Sequence, residues 1–290
     1  QVLAGKANQT AATDFVKIAF SAKETMGIAP KDMARLFGIA TYAGQSGPFE
    51  VSDMARALPK QFGLARNVGI TGLEGAAKVA ALNQATRLVA GTSDQAATLS
   101  ENLLAKMGSE DARNNFSKLG IPYNKKIVEG RMQGLDALDV TANLIESLLG
   151  KNKNYQKALT AYNAAPEGSA RKAALDDVMN VAKGEVISKI FPDREAGSGM
   201  AAYILDRANA NKIAQESLLY GTDSIERNMW TVKASPSFDL NRAKQAAEFA
   251  NYDAMIKLGP AVSTVADSFA ELAKTSPEFA ACLLYTSPSP

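Results

Sequence analysis

Apolar residues recur at intervals of three and four along most of this chain, which is the period of an α-helix with one buried face. In the central stretch, Leu73, Ala77, Ala80 and Leu88 share one face of a predicted helix over residues 71–90. The apolar face of the next predicted helix consists of Ala96, Leu99, Leu103 and Met107. Because alanine side chains are short, these faces predict a helical hairpin or three-helix unit with closely spaced axes.

Two threonines stand where helices are expected to begin. Thr71 is followed three residues later by Glu74, and Thr92 is followed at the same spacing by Gln95. In such a capping box the hydroxyl accepts a hydrogen bond from a backbone N–H, and the second side chain accepts one from the N–H of the cap residue. We therefore expect Thr71 and Thr92 to cap the helices that follow them.

Glycines punctuate the same stretch. Gly91 and Gly120 follow predicted helix ends, where a left-handed residue is favoured. Gly69, Gly72 and Gly75 invite comparison with a phosphate-binding loop, but the order G-x-G-x-x-G and the preceding strand that such a loop requires are missing. We interpret Gly69 and Gly72 as a turn, and Gly75 as a point of close approach between helices.

Prolines and glycines divide the remainder of the chain. Pro59 lies inside a helical pattern, and its ring predicts a kink or a break there. Residues 135–149 are predicted as an amphipathic helix and residues 200–219 as a helix, with a flexible joint at residues 197–199 (Gly-Ser-Gly) before the second. Further helices are predicted over residues 224–231, 238–258 and 261–274.

Signals for β-strands are scarce, since only 7% of residues are aromatic and apolar alternation never extends beyond five positions. We therefore predict an all-α fold, either a multi-helix bundle or an irregular helical array. The polar segment near residues 121–130 leaves one small β-hairpin open as an alternative. We expect a helical core over residues 1–150 and a second helical region over residues 151–281.

The C-terminal segment over residues 282–290, CLLYTSPSP, differs in composition from the helical chain before it. It resembles the in-frame translation of a transposase sequencing-library adapter, so we expect it to be a disordered artefact at the end of a truncated metagenomic fragment. A natural flexible tail is the alternative. A disulfide framework is excluded in either case, because the chain has one cysteine.

The overall balance is that of an ordinary globular protein, with 46% hydrophobic and 21% charged residues. The 32 basic and 30 acidic residues are interspersed and give a net charge of +2, which argues against a dedicated nucleic-acid surface. No apolar run approaches the roughly 18–20 residues that would cross a bilayer.

The absence of histidine excludes the common catalytic triads and most zinc or haem sites. Carboxylate chemistry remains, with Asp176–Asp177 and the pair Asp136 and Asp139 as candidates for a metal site or a glycosidase dyad. We favour solvated helix faces for both pairs, because 30 acidic residues spread over helices produce such pairs by chance. The sequence therefore predicts no catalytic, cofactor-binding or metal-binding residue.

An ordered series of segments carries a resemblance to a known family. SDMA, GLARNVGITGLEGAA, GTSDQAATL and FSKLGI follow one another within residues 52–121, and ISKIF with a following Glu195–Ala196 comes later. This order resembles the core of phage tail tape measure proteins. The resemblance extends over about residues 15–279 and is densest over residues 49–121.

The resemblance implies a structural virion protein, without a cofactor or enzymatic activity, that occupies the lumen of the tail tube and sets tail length during assembly. It implies contacts with the tail tube protein, tail assembly chaperones and baseplate or tip proteins, an oligomer in the lumen, and no sequence-specific nucleic acid. The expected location is the virion, and the host cytoplasm during assembly.

Two alternatives stay open: a lytic, peptidoglycan-degrading domain of a tail protein, and a generic helical interaction module. The frequent glycine and proline stops indicate a compact module rather than a measuring rod.

Overall fold

The computed structural model describes residues 12–233 of the chain. The chain divides into two compact units, Gln1–Trp230 and Thr231–Pro290, and nearly all described residues belong to the first. The helices predicted at 238–258 and 261–274, and the segment 282–290, lie outside the described residues.

Helices follow one another with short connections and without a strand between residues 12 and 233, which confirms the all-α prediction. The earlier helices are α1 (Ala12–Ser21), α2 (Met33–Gln45), α3 (Val51–Asn67), α4 (Gly72–Arg87), α5 (Ser93–Met107) and α6 (Glu110–Lys118). The later helices are α7 (Tyr123–Met132), α8 (Ala137–Leu149), α9 (Lys153–Ala164), α10 (Ser169–Ala182), α11 (Arg194–Leu205) and α12 (Arg207–Lys233).

Four shorter helical segments complete the described chain. A π-helical turn, Ala22–Met26, continues α1, and a 3₁₀ turn, Pro30–Asp32, precedes α2. A second π-helical turn, Lys183–Ile187, and a short α-helical turn, Ser188–Ile190, continue α10. No described helix is both long and apolar enough to cross a bilayer.

Helix α4 lies at the centre of the first unit and packs against α2, α3, α5 and α11. The sequence predicts one apolar face for it, but the structure buries nearly its whole circumference. The buried residues are Gly75, Ala76, Ala77, Val79, Ala80, Ala81, Leu82, Asn83, Gln84, Ala85 and Thr86. Their side chains are mostly small, so helices can approach α4 from several sides at once.

Asn83 and Gln84 are buried polar residues of α4, and both side chains have hydrogen-bond partners. The amides of Gln61 and Asn83 exchange two hydrogen bonds, of 2.8 and 2.7 Å. Gln84 donates to the carbonyls of Ala43 and Phe49, at 2.6 and 2.8 Å, and thereby holds the α2–α3 connection against α4. These bonds satisfy amide groups whose burial would otherwise be unfavourable.

The expected flexible joint at residues 197–199 is instead the interior of α11. A Cβ atom on Gly199 would lie 2.7 Å from the carbonyl oxygen of Leu99 in α5. Glycine is therefore present because the two helix backbones touch there, and not because the chain bends. This contact links α5 and α11 within the first compact unit, while the division at residue 150 stays a prediction.

The β-hairpin left open near residues 121–130 is wrong, because Tyr123–Met132 is helical. Pro122 stands directly before this helix, at its N-cap. The ring of Tyr123 stacks on Phe116 with centroids 4.5 Å apart, and its hydroxyl lies 2.8 Å from that of Thr141. These contacts anchor the first turn of α7, although its sequence shows little helical periodicity.

Of the kink or break expected at Pro59, the break is absent, since α3 continues through it from Val51 to Asn67. The hydroxyl of Ser21 donates to the carbonyl oxygen of Pro59 at 2.7 Å. Helix α3 packs on α1 and on the Ala22–Met26 turn at this point. Tertiary packing therefore offsets the loss of one backbone donor.

Candidate functional site

The capping box expected at Thr71 and Glu74 is not formed. Thr71 precedes the first residue of α4, but its side chain makes no capping hydrogen bond. Gly72 has a φ of +71°, so the chain enters the helix along a path that only glycine adopts readily. This entry keeps the Thr71 hydroxyl away from the N–H that it would cap in an ordinary first turn.

At the start of α5, a capping box is present in a shifted form. The Thr92 hydroxyl accepts from the Gln95 N–H at 3.2 Å. The Gln95 side chain accepts from the Gly91 N–H at 3.0 Å, one residue before the cap. Gly91 is not left-handed, because α4 has already ended at Arg87.

Gly120 is left-handed after α6, and Gly75 lies in close contact with residues outside α4. Gly120 has a φ of +75°, and the N–H of the following Ile121 donates back to the carbonyl of Phe116 at 3.0 Å. A Cβ on Gly75 would lie 3.0 Å from the Ile70 side chain and 3.2 Å from that of Met26. The cap and turn residues therefore shape the backbone, and Gln95 also lines the groove described below.

A buried cluster of charges is the most distinctive polar arrangement in the described chain, and we call its members, Lys78, Asp136, Asp139, Tyr203 and Arg207, the Asp139 cluster. Lys78 Nζ lies 2.7 Å from Asp139 Oδ2. Arg207 and the hydroxyl of Tyr203 both donate to Asp139 Oδ1, at 3.2 and 3.1 Å. One carboxylate thus joins four helices, α4, α8, α11 and α12.

Further polar groups surround this carboxylate. Arg207 also donates to Glu146 Oε2 and Asn143 Oδ1, at 2.6 and 2.7 Å. Lys78 donates to Asn211 Oδ1 at 3.0 Å. Asp136 caps α8 by accepting from the Asp139 N–H at 2.9 Å, and its second oxygen lies 3.8 Å from Lys78.

In the folded protein, the pKa values of the two aspartates of the cluster are shifted in opposite directions. Burial alone would raise the pKa of Asp139, but the hydrogen bond and charge of Lys78, with the charge of Arg207, hold it below its ordinary value. Burial, and then the charge of Asp139, raise the pKa of Asp136. Burial and the neighbouring carboxylates also raise the pKa of Tyr203.

These properties make Asp139 a structural anchor. It is ionised at neutral pH, both of its oxygens are bound by cations or by the tyrosine, and its residue is only 8% exposed. It has no proton to deliver as a general acid, and Lys78 and Arg207 block the approach of a substrate to its oxygens.

The solvated face expected for the Asp136 and Asp139 pair is therefore wrong, and the pair does not form a glycosidase dyad either. Asp176 and Asp177 are exposed on α10, as expected. Within residues 12–233, no group of three or more Asp, Glu, Cys or His side chains could hold a metal ion.

Sequence reasoning missed Lys78, Tyr203 and Arg207 as partners of the aspartates. The one signal available was Lys78 itself, a charged residue in the middle of the alanine-rich run that forms α4. A lysine in such a position must reach a carboxylate or the solvent. The sequence does not say which carboxylate, because Asp139 lies 61 residues away.

An open groove of about 730 Å³ lies between the start of α5, the end of α10 and the start of α11. Three carboxylates on its walls, those of Asp94, Asp176 and Glu195, share it with the cations Lys183 and Arg194. A lytic carboxylic acid needs an apolar pocket that keeps it protonated. A groove with charges of both signs does not provide that environment.

The comparison with known proteins identifies the family. The family model described as phage-related minor tail protein matches residues 2–191. This chain belongs to that family. Its match covers α1 to α10 and the turns that follow, and so includes most of the first compact unit.

One curated relative is similar to part of this chain. The chain is 31% identical over 115 residues to a probable tape measure protein of Burkholderia phage BcepMu. The match covers 39% of this chain and 14% of that relative, so it represents a small part of the relative's length. No solved structure matches this member of the family.

Proposed function

We propose that this chain is a folded part of a tape measure protein, which lies in the lumen of a phage tail tube and whose total length sets the length of the tail. The observation that carries the proposal is the family match over residues 2–191, together with the similarity to a probable tape measure protein. The all-α architecture without a reactive site among the described residues is compatible with it.

The fold indicates which role this part has. A single helix over the 222 residues from 12 to 233 would extend roughly 330 Å at 1.5 Å per residue. A compact domain of that size has a radius of gyration of only about 17 Å. Residues 12–230 therefore add much less length per residue than a rod, and they serve as a folded module rather than as the measuring segment.

The partners follow from this position. The tail tube protein would surround the module, tail assembly chaperones would hold the protein before the tube closes around it, and baseplate or tip proteins would contact it at one end. Several copies would share the lumen of the virion tail after assembly in the host cytoplasm. Neither a cofactor nor sequence-specific nucleic acid is required, and the module acts without enzymatic activity.

An early stop codon in this reading frame, placed in the genome of the phage that encodes it, tests the proposal. We expect tails to be missing or irregular in length by electron microscopy, and a plasmid copy of the complete gene to restore uniform tails. Mass spectrometry of purified wild-type tails should detect peptides from residues 12–230. Normal tails in the mutant, or carboxylate-dependent cleavage of cell walls by the purified chain, would contradict it.

A further inference from the structure

The boundary between α11 and α12 differs from what the sequence predicts. Residues 200–219 contain neither glycine nor proline and are predicted as one helix. The structure ends α11 at Leu205 and begins α12 at Arg207, with Asp206 between them at φ −105° and ψ 14°. Sharp bends usually have a local cause such as proline, glycine or a bulge, and this segment has neither proline nor glycine.

The bend interrupts the ladder of backbone hydrogen bonds. The last bond of α11 runs from the Asp206 N–H to the Ala202 carbonyl, at 3.0 Å. The first bond of α12 runs from the Ala210 N–H to the Asp206 carbonyl, at 2.9 Å. The bonds that would connect the N–H groups of residues 207–209 to α11 in a continuous helix are thus not formed.

Tertiary contacts hold the start of α12 in this direction. Arg207 is bound to Asp139, Glu146 and Asn143 of α8, and Asn211 is bound to Lys78 of α4. These partners belong to helices distant in sequence from α12. They supply polar contacts that compensate for the missing backbone bonds at the bend.

Farther along, α12 lies on α2 through a polar contact and a backbone contact. The hydroxyl of Tyr42 donates to Glu216 Oε2 at 2.8 Å. A Cβ on Gly221 would lie 2.5 Å from the backbone of Gly38, so the two helices touch at their glycines. Within residues 207–228, the buried residues of α12 are mostly small: Ala210, Ile213, Ala214, Ser217, Gly221, Ser224 and Ile225.

The buried face of α12 removes less apolar surface from water per turn than a face of leucine and phenylalanine would. Polar contacts and close backbone approach therefore contribute much of the stability of its packing. Both depend on a few identified residues. The local sequence, in contrast, favours a helix that continues through Asp206. A straight helix through Asp206 is therefore an alternative that the sequence permits.

We propose that α12 is a releasable arm: when it leaves α2 and α8, Asp206 becomes helical and α11 and α12 fuse into one helix over residues 194–233. The straight form regains the three backbone bonds that the bend lacks. Fused, the helix is about 60 Å long at 1.5 Å per residue. The device belongs to the fold and does not depend on the measuring role proposed above.

Distances between two spin labels on the full chain test whether α12 can be released and straightened. Arg194→Cys and Asp223→Cys place labels on exposed positions of α11 and α12, in a background where Cys282→Ser removes the native thiol. Along a straight helix the labelled positions would be roughly 43 Å apart. The bent form must give a shorter distance, and we expect the parent protein to show that distance alone.

Gly221→Ala is the releasing variant, because its methyl group collides with the α2 backbone while alanine favours a helix more than glycine does. Its matched control is Gly63→Ala in α3, where a Cβ meets nothing within 4 Å. We expect a new population near 43 Å in Gly221→Ala, an unchanged distribution in the control, and slower hydrogen exchange at the amides of residues 207–209 in the releasing variant.

A second variant avoids the steric change in case Gly221→Ala gives no folded protein. Arg207→Ala with Asn211→Ala removes the polar contacts of the start of α12 with α8 and α4, and leaves Asp139 paired with Lys78. It should show the same long distance. An unchanged short distance in the folded variants would overturn the proposal. A broad distribution with loss of helical circular dichroism would overturn it too, because α12 would then unfold rather than straighten.

Discussion

Single residues in this fold are placed by contacts that run between helices. Gly199 permits α11 to touch the Leu99 carbonyl, and Gly75 leaves room for Ile70 and Met26. The role of Gly75 could be predicted, because a glycine inside an otherwise regular helical pattern usually has a packing reason. The prediction of a flexible joint at Gly199 was wrong because Gly-Ser-Gly is typical of flexible joints as well as of close helix contacts. Only the position of the neighbouring helix distinguishes these two roles.

The two aspartates of α8 should respond oppositely to the same isosteric change. Asp139→Asn removes the carboxylate that Lys78 and Arg207 share, so we expect it to lower the free energy of unfolding at neutral pH by about 1.5–3 kcal/mol. Asp136→Asn keeps a good N-cap and removes a like charge beside Asp139, so we expect no loss or a small gain. Urea denaturation of the two variants and the parent measures both effects.

The pH dependence of the free energy of unfolding provides a control that distinguishes the two aspartates. Asp139 has a lowered pKa in the folded state, so its stabilisation is present above the unfolded pKa and is lost as the pH falls through the folded value. Asp136 has a raised pKa, so its favourable contribution is present at low pH and is lost as the pH rises through the folded value. Equal losses in both variants at neutral pH would contradict the assignment of Asp139 as the anchor.

Helices as elements were predictable where their period is regular, and their ends less so. The pattern predicts a helix over residues 135–149, and α8 spans Ala137–Leu149. Helix α4 was predicted with one apolar face because a search for apolar residues at helical spacing gives little weight to the alanines on its other sides. The bend at Asp206 left no trace in the pattern, since Arg207 is held by residues of α8 that lie 61 to 68 positions before it in the chain.

The contact between α3 and α4 offers a test at this scale. Gln61 and Asn83 are both buried, and each amide satisfies the other through two hydrogen bonds. We expect Gln61→Leu alone to lower the free energy of unfolding by about 1–3 kcal/mol, because the Asn83 amide loses both bonds. Replacing both residues by leucine should recover part of that loss.

A double-mutant cycle by chemical denaturation measures the coupling. A coupling energy near zero would contradict the mutual hydrogen bonding of the two amides. Thr160→Ala provides a reference for an exposed side-chain hydrogen bond, since the Thr160 hydroxyl bonds only to the Gln156 carbonyl one turn earlier in α9. We expect it to change stability little.

At the scale of the whole molecule, the proposed function depends on extent and packing rather than on a reactive group. The Asp139 cluster binds its own helices together, and the described groove carries charges of both signs. The absence of histidine already pointed away from common catalysis at the level of sequence. The family match then places this packed helical unit among phage tail proteins.

Tail length is the most direct measure of this role. In the phage that encodes the chain, in-frame deletions of increasing size are made in the reading frame outside residues 1–230, and Gly63→Ala serves as a substitution that leaves the length of the protein unchanged. We predict that mean tail length in electron micrographs falls in proportion to the residues removed, by about 1.5 Å for each helical residue, and that the substitution leaves it unaltered. Uniform tails of unchanged length in every deletion would contradict the measuring role.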